Sequence, residues 1–201
     1  MLRVALTGGL ASGKSFVGRI LAEQGCRVIQ ADALGHQVLA PRGEAYAEVV
    51  HRFGSGILNE EGQIDRRKLA EIVFGNPEKL ALLNSLVHPP VRKRIAAALN
   101  EFELEQPNGI SVVEAAIHVE TGSYQDYDRL IVAYCSPELQ IQRAMHRDNL
   151  SRAEVEARLS QQMPLAMKRK YAHFVIDTSA TKEETAHMTK RVFCQLRSIR
   201  Q

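Results

Sequence analysis

The sequence predicts a three-layer α/β/α fold around a five-stranded parallel sheet. Five short apolar segments alternate with segments of helical spacing, and a glycine-rich turn joins the first apolar segment to the first helix. Strands that helices cover on both faces are apolar throughout, because neither face of the sheet meets water. Ligands of such sheets bind beyond the carboxyl ends of the strands. The strands are predicted at residues 2–6, 27–30, 110–114, 129–134 and 173–176.

Length, charge and cysteine content restrict the class of protein. The 201 residues suit one α/β domain with an insertion, and the net charge of +3 fits an anionic small molecule better than nucleic acid. Cys26, Cys135 and Cys194 form no CxxC pair, which is typical of free thiols in a reducing compartment. No apolar run approaches the ~18 residues of a membrane span. We therefore expect a cytoplasmic protein with no membrane or nucleic-acid partner.

Local signals place several helices between the strands. The first helix follows Ser15 and stops at Gly25, and Ser136-Pro137 begins another with a cap and a proline at its first position. Residues 151–154 and 181–184 have the spacing of capping boxes, so we expect a helix to begin at each.

The turn after the first strand carries the clearest motif. Residues 8–15, Gly-Gly-Leu-Ala-Ser-Gly-Lys-Ser, match the P-loop pattern. Its glycines let backbone N–H groups converge on phosphate oxygens, Lys14 reaches the β- and γ-phosphates, and the Ser15 hydroxyl ligates Mg²⁺. The motif therefore predicts a P-loop NTPase fold that binds a nucleotide. The predicted nucleotide-binding residues are Gly8, Gly9, Ala11, Ser12, Gly13, Lys14, Ser15 and Phe16.

Two acidic residues follow predicted strands at the edge where a nucleotide would bind. Asp32 comes after the second strand, where a carboxylate can accept the proton of a substrate hydroxyl or cap a helix. Glu114 ends the third strand, where an acid can act on Mg²⁺ through water or be an ordinary strand-end residue. Position alone leaves both pairs of alternatives open.

Basic residues are concentrated between 143 and 170. Arg143 and Arg147 are four residues apart and share one face of a predicted helix. Residues 147–171 are predicted to form a helical lid that clamps phosphates, although a solvated helix face is the alternative for both arginines. A solvated face is the prediction for the remaining basic residues of this segment. These are Arg152, Arg158, Lys168, Arg169 and Lys170.

Residues 65–105 have helical spacing, and we expect His88-Pro89-Pro90 to interrupt the helix that begins at Asn76-Pro77. A helical block between strands indicates an insertion, placed at 59–106, within a core of 1–58 and 107–201. A substrate contact is one possibility for His88, and a structural role at the helix break is the other. The first helix of the block has one apolar face, formed by Leu69, Ile72, Val73 and Phe74.

Over nearly its whole length the chain resembles the dephospho-coenzyme A kinase family. The most distinctive stretch is 83–89, Leu-Asn-Ser-Leu-Val-His-Pro, which other P-loop kinases lack. The other matching segments are weak alone, but their order and spacing agree. They are residues 6–9, 12–15, 28–32, 38–43, 53–54, 57–58, 62–66, 73–74, 142–143, 147–148, 158, 161–162 and 174–176.

The resemblance implies transfer of the γ-phosphoryl group of ATP, with Mg²⁺, to the ribose 3′-hydroxyl of dephospho-CoA. This is the final step of coenzyme A synthesis. It implies Asp32 as the base, Lys14 as a catalytic residue, and Arg143 with Arg147 as the phosphate clamp. The helical insertion then becomes the pantetheine-side subdomain. Its predicted substrate-binding residues, beside Asp32, are Asp65, Arg66 and His88.

Several positions depart from the family pattern. Gln30 stands where a second aspartate is usual, which leaves Asp32 as the sole candidate base of that pair. Phe16 replaces a threonine, while His173 and Thr178 replace an aspartate and an asparagine that are usual near the adenine. Residues 114–116, Glu-Ala-Ala, stand where many members have Pro-Leu-Leu, which weakens the case for Glu114 as an essential residue. The rival functions are another P-loop kinase, acting on a nucleoside monophosphate or a small polyol, and a nucleotide-binding regulator without turnover. A GTPase is disfavoured, because the sequence has no Asn-Lys-x-Asp motif.

Overall fold

The computed structural model describes residues 1–73 and 75–199, so Phe74, predicted to lie on an apolar face, is outside the described residues. The chain divides into two compact units. One consists of residues 1–30 and the chain from residue 101 onward, and the other consists of residues 31–100. Residues 31–58, which the sequence assigned to the core, thus fall in the second unit. Within the described residues, no helix is long and apolar enough to cross a membrane.

The five strands predicted from the sequence are confirmed. All neighbouring strands are parallel, and their order is β2-β3-β1-β4-β5. The last strand begins one residue later than predicted, at Phe174. His173 still contacts β4, since its N–H donates to the Leu130 carbonyl at 2.9 Å and its ring Nδ1 accepts the Leu130 N–H at 3.1 Å. The strands are β1 (Leu2–Thr7), β2 (Arg27–Gln30), β3 (Ile110–Glu114), β4 (Arg129–Tyr134) and β5 (Phe174–Asp177).

Helices follow the strands in the order that the sequence predicts. Both predicted capping boxes are present, at Ser151 with Glu154 and at Thr181 with Glu184, and the Ser136 hydroxyl caps a third helix. Among the described residues the helices are α1 (Lys14–Glu23), α2 (Ala31–Val38), α3 (Tyr46–Phe53), α4 (Arg66–Val73), α5 (Pro77–Glu105), α6 (Pro137–Asp148), α7 (Arg152–Leu159), α8 (Leu165–Lys168) and α9 (Lys182–Ser198).

Alternate residues of the buried strands fill two different cores in the first unit. Leu6 and Ile131 belong to the core that contains residues of α1 and α9, such as Val17 and Leu196. Their strand neighbours, including Leu130, lie in a second core with Leu165 of α8 and residues of the loop after β3. Helical layers on both faces explain why these strands are apolar throughout.

The second unit has its own core, in which α2, α3, α4 and α5 bury Val38, Val49, Leu69 and Val91. The expected break at His88-Pro89-Pro90 is wrong, because α5 continues through both prolines. Each proline removes one backbone hydrogen bond of the helix. The flanking side chains of Val87 and Val91 pack into this core, and their burial offsets that loss.

Candidate active site

The loop between β1 and α1 has the backbone of a tight phosphate-binding turn. Gly13 adopts a φ of 81°, and Ala11 adopts the left-handed region with a φ of 52°. A Cβ at Gly13 would also approach the Thr178 side chain to 3.1 Å, and one at Gly8 would overlap Ser12 Oγ. The Phe16 N–H bonds to the Gly13 carbonyl at 3.0 Å, so α1 starts directly from the loop. Its N-terminus therefore provides the positive end of a helix dipole.

Glu114 lies against the loop and binds both of its chemically active side chains. Its Oε1 accepts hydrogen bonds from Lys14 Nζ at 2.8 Å and from Ser15 Oγ at 2.6 Å. The Lys14 and Glu114 side chains are only 10% and 4% exposed, so water screens this ion pair weakly. The β1–β3 register produces the contact, since Glu114 is directly opposite Leu6.

The second oxygen of Glu114 is a buried acceptor that receives no hydrogen bond from the described parts of the chain. A Cβ at Gly18 of α1 would lie 2.7 Å from this Oε2, so the glycine makes room for the carboxylate. Carboxylate and hydroxyl oxygens are the ligand types that Mg²⁺ prefers, and it is usually bound by one or two carboxylates together with substrate phosphates. The oxygens of Glu114 and Ser15 therefore fit a magnesium ion.

Thr178 connects the loop to Arg143. Its hydroxyl donates to the Ser12 carbonyl at 2.8 Å, while Arg143 donates to the Thr178 carbonyl at 2.6 Å and to its hydroxyl at 3.3 Å. Arg147, one turn further along α6, forms hydrogen bonds of 2.7 and 2.8 Å with Asp148. These bonds raise the pKa of Arg147 and lower that of Asp148. Arg143 is thus connected to the loop through Thr178. The Arg147 side chain, in contrast, is 60% exposed.

Three side chains that sequence reasoning did not select for the site hold the first half of the loop. Gln140 Nε2 donates to the Leu10 carbonyl at 2.6 Å, and Gln162 Oε1 accepts from the Leu10 N–H at 3.0 Å. Lys168 Nζ donates to the Gly8 carbonyl at 3.3 Å. The predicted solvated position of Lys168 is wrong, because its side chain is fully buried and forms a 2.7 Å ion pair with Glu120.

The predicted substrate-binding residues all lie in the second unit. Asp32 is exposed in the first turn of α2, and Asp65 caps α4 by accepting the Arg67 N–H at 2.9 Å. Burial and the charge of Arg66 lower the pKa of His36, and the charge of Asp32 raises it. Burial, followed by the charge of Arg92, lowers the pKa of His88. His36 lies four residues after Asp32 on α2.

Comparison with known proteins identifies the family. The family model for dephospho-CoA kinase matches residues 2–184. The chain belongs to the dephospho-CoA kinase family. It is 41% identical to the dephospho-CoA kinase of Aquifex aeolicus over 98% of each chain. It is 40% identical to a dephospho-CoA kinase domain-containing protein of Danio rerio, over 98% of this chain and 86% of that one.

Solved structures support the same family. TT1252 from Thermus thermophilus superposes with a TM-score of 0.82 at 32% identity over 97% of each chain. A dephospho-CoA kinase from Campylobacter jejuni gives a TM-score of 0.62 at 28% identity over 96% of each chain. A shikimate kinase from Acinetobacter baumannii, at 18% identity and a TM-score of 0.51, shares the fold. The predicted P-loop kinase fold, family and ATP-dependent kinase activity in coenzyme A biosynthesis are confirmed.

Proposed function

We propose that this chain performs the family reaction with the P-loop as its ATP site and Asp32 as its base. The reaction transfers the γ-phosphoryl group of ATP to the ribose 3′-hydroxyl of dephospho-CoA and yields coenzyme A and ADP. The observation that carries the proposal is the Lys14–Glu114–Ser15 arrangement. It places a cation, a hydroxyl and a buried carboxylate at the start of α1, with 2.8 and 2.6 Å contacts.

The loop is suited to phosphates in two ways. Lys14 carries the positive charge that the β- and γ-phosphates require, and the N-terminus of α1 adds backbone N–H donors aimed along its axis. The Glu114 carboxylate pairs with Lys14 at 2.8 Å. An entering triphosphate competes with that carboxylate for the ammonium group. Glu114 therefore holds Lys14 against the loop before the nucleotide binds.

The hydroxyl of Ser15 and the carboxylate of Glu114 are ligand types that suit magnesium. The described residues contain no group of three or more His, Cys, Asp or Glu side chains that could hold a metal. Mg²⁺ needs no such group, because nucleotide phosphates and water complete its coordination. The Ser15 hydroxyl and the Glu114 carboxylate would hold the ion, directly or through water, and the ion would neutralise charge on the β- and γ-phosphates.

Asp32 is the candidate base for the acceptor hydroxyl. Gln30, the last residue of β2, pairs with Glu114, and Asp32 follows two residues later in the first turn of α2. The side chain is exposed and therefore accessible to a substrate. A carboxylate there can take the hydroxyl proton as the new P–O bond forms. Catalysis otherwise consists of positioning and charge neutralisation.

The two arginines of α6 and the helical insertion complete the proposal. Arg143 and Arg147 act on the charge of the transferred phosphoryl group, with residues 147–171 as the lid over the nucleotide. Residues 59–106 bind dephospho-CoA. Asp65, Arg66 and His88 are the candidate contacts, and they lie in the same unit as Asp32.

The test compares Asp32→Asn with Asp126→Asn, the same isosteric change at another exposed aspartate. Turnover and the dissociation constant of Mg-ATP are measured for both variants. We expect Asp32→Asn to lower kcat by ~10²- to 10⁴-fold, the usual contribution of a general base, while ATP binding is retained. Asp126→Asn should behave like the parent. Near-normal turnover of Asp32→Asn would remove Asp32 as the base.

A further inference from the structure

We propose that Lys168 is a positioning residue for phosphoryl transfer, because its buried ammonium group, held by Glu120, fixes the first peptide of the phosphate-binding loop. The inference rests on the proposed function and concerns a residue that contributes no atom to the reaction. Lys168 is the largest fully buried side chain of the described protein. Burying a lysine is costly unless each of its protons has an acceptor.

The three protons of Lys168 have three acceptors. Nζ lies 2.7 Å from Glu120 Oε1, 2.6 Å from the Ala116 carbonyl and 3.3 Å from the Gly8 carbonyl. An ammonium group has three donors and no acceptor, so it is fully satisfied here. Glu120 Oε1 also accepts the Met163 N–H at 3.1 Å and thereby holds both ends of the 163–168 segment.

The contact with Gly8 sets the direction of a peptide plane. The described chain contains no cis peptide, so the Gly9 N–H points away from the Gly8 carbonyl that faces Lys168. The next two peptide groups are held through Leu10, whose N–H binds Gln162 and whose carbonyl binds Gln140. Three successive peptide groups are thus oriented by side chains outside the loop.

Gly9 gives independent support for this arrangement. A Cβ there would lie 2.6 Å from Gln140 Nε2, 3.4 Å from Gln162 Oε1 and 3.5 Å from Leu165 Cγ. A side chain there would clash with Gln140 of α6, and the Gln162 and Leu165 side chains are already within contact distance. Ala11, which adopts the left-handed region, follows two residues after Gly9. The Ser12 N–H bonds to the Gly9 carbonyl at 3.2 Å, so the turn that leads into α1 is built on the peptide groups that are oriented at Gly8 and Leu10.

The position of Lys168 relative to Lys14 also bears on the phosphates. Burial and the charge of Lys14 lower the pKa of Lys168, while Glu120 raises it. The two lysines are thus close enough to interact electrostatically. Glu120 balances the charge of Lys168. A neutral residue at position 168 would leave the Gly8 and Ala116 carbonyls without this donor and the Glu120 carboxylate without its cation.

The test uses Lys168→Met, the double variant Lys168→Met/Glu120→Gln, and Lys190→Met, an exposed lysine of α9 outside the proposed site, as the matched control. Steady-state kinetics, Mg-ATP binding by calorimetry and urea unfolding are measured for each. We expect Lys168→Met to lower kcat/KM for ATP by ~10²-fold, the cost of an active-site displacement near 1 Å. The KM for dephospho-CoA should stay within about twofold, because the change affects only the nucleotide side.

The double variant separates positioning from stability. It removes the unpaired carboxylate, so its urea midpoint should return towards that of the parent. Its kcat/KM for ATP should remain ~10²-fold below that of the parent, because the Gly8 carbonyl still lacks the hydrogen bond from Lys168. Recovery of activity together with stability would reduce Lys168 to a structural role and overturn the proposal.

Gln162→Leu decides the question if both Lys168 variants fail to fold. This change leaves the ion pair intact and removes the acceptor of the Leu10 N–H. We expect a rise of ~10-fold in the dissociation constant of Mg-ATP, about the effect of one lost hydrogen bond, at an unchanged urea midpoint. An unchanged dissociation constant would overturn the proposal. Failure of the proposed function would be seen separately, as a parent enzyme that binds Mg-ATP and makes no product from dephospho-CoA.

Discussion

Replacing Glu114 by glutamine perturbs the proposed ATP site with little change of shape. The amide keeps one oxygen for the Lys14 and Ser15 donors and removes the negative charge between them. Oε2 of Glu114 has no hydrogen-bond partner among the described residues, so an NH₂ group in its place breaks no existing hydrogen bond. The consequences should therefore follow from the loss of charge.

The magnitude follows from burial and the number of bonds. Glu114 accepts one bond from a cation at 2.8 Å and one from a hydroxyl at 2.6 Å, and it is 3% exposed. Breaking a buried ion pair by neutralising one partner costs about 3 kcal/mol of unfolding free energy. Weakening a magnesium site lowers activity by ~10- to 100-fold. A ~100-fold loss corresponds to about 2.7 kcal/mol of activation free energy.

The assay measures ADP release across a magnesium titration, at a temperature where circular dichroism shows both proteins folded. Glu114→Gln should need more Mg²⁺ for half-maximal rate and should turn over ~10²-fold more slowly at saturation. Glu183→Gln, at an exposed glutamate of α9, is the matched control and should match the parent. A Glu114→Gln enzyme within about threefold of the parent at every Mg²⁺ concentration would refute a role for this carboxylate in holding the metal.

Three further predictions concern glycine packing, the loop and pH. Gly18→Ala should lower kcat, because the new Cβ would lie 2.7 Å from Glu114 Oε2. Gly35→Ala is the control, since a Cβ there would have no heavy atom of the described residues within 4 Å, apart from its chain neighbours and its own helix backbone. It should raise the unfolding free energy by about 0.5–1 kcal/mol in urea titrations. Thr178→Val removes the 2.8 Å hydrogen bond to the Ser12 carbonyl of the loop. It should raise the KM for ATP by ~5- to 10-fold and leave the KM for dephospho-CoA similar to that of the parent. An unchanged KM for ATP would show that Thr178 only stabilises the fold. The pKa of His88 is lowered by burial, so the folded state prefers the neutral ring. Stability from this residue is present above pH ~6.5 and is lost as pH falls towards the folded-state pKa, with a slope of at most about 1.4 kcal/mol per pH unit. His88→Gln should flatten that part of the urea-midpoint profile, and an unchanged profile would contradict the assignment.

Local patterns were sufficient to predict the framework of the site. The P-loop at residues 8–15 is defined by glycine spacing, and the capping boxes at Ser151 and Thr181 by residues three apart. The contact of Glu114 with Lys14 depends on register, because pairing of β1 with β3 brings the carboxylate to the loop. Such register follows from strand order, which a single sequence does not display directly.

The misplaced residues depend on contacts distant in the chain. Lys168 is buried because acceptors lie 52 and 160 residues away, at Ala116 and Gly8, and no local pattern distinguishes it from its exposed neighbours. The two prolines at 89 and 90 have strong local preferences against a helix interior, but packing of the surrounding residues prevails.

The most direct test of the central claim is ADP release by the purified protein with Mg-ATP and dephospho-CoA, with adenosine, AMP and shikimate as alternative acceptors. The product is identified by mass. We predict ADP formation with dephospho-CoA alone, in step with a product heavier by one phosphoryl group. Turnover with another acceptor and none with dephospho-CoA would contradict the account while leaving the fold intact. ATP binding without turnover on any acceptor would favour a nucleotide-binding regulator.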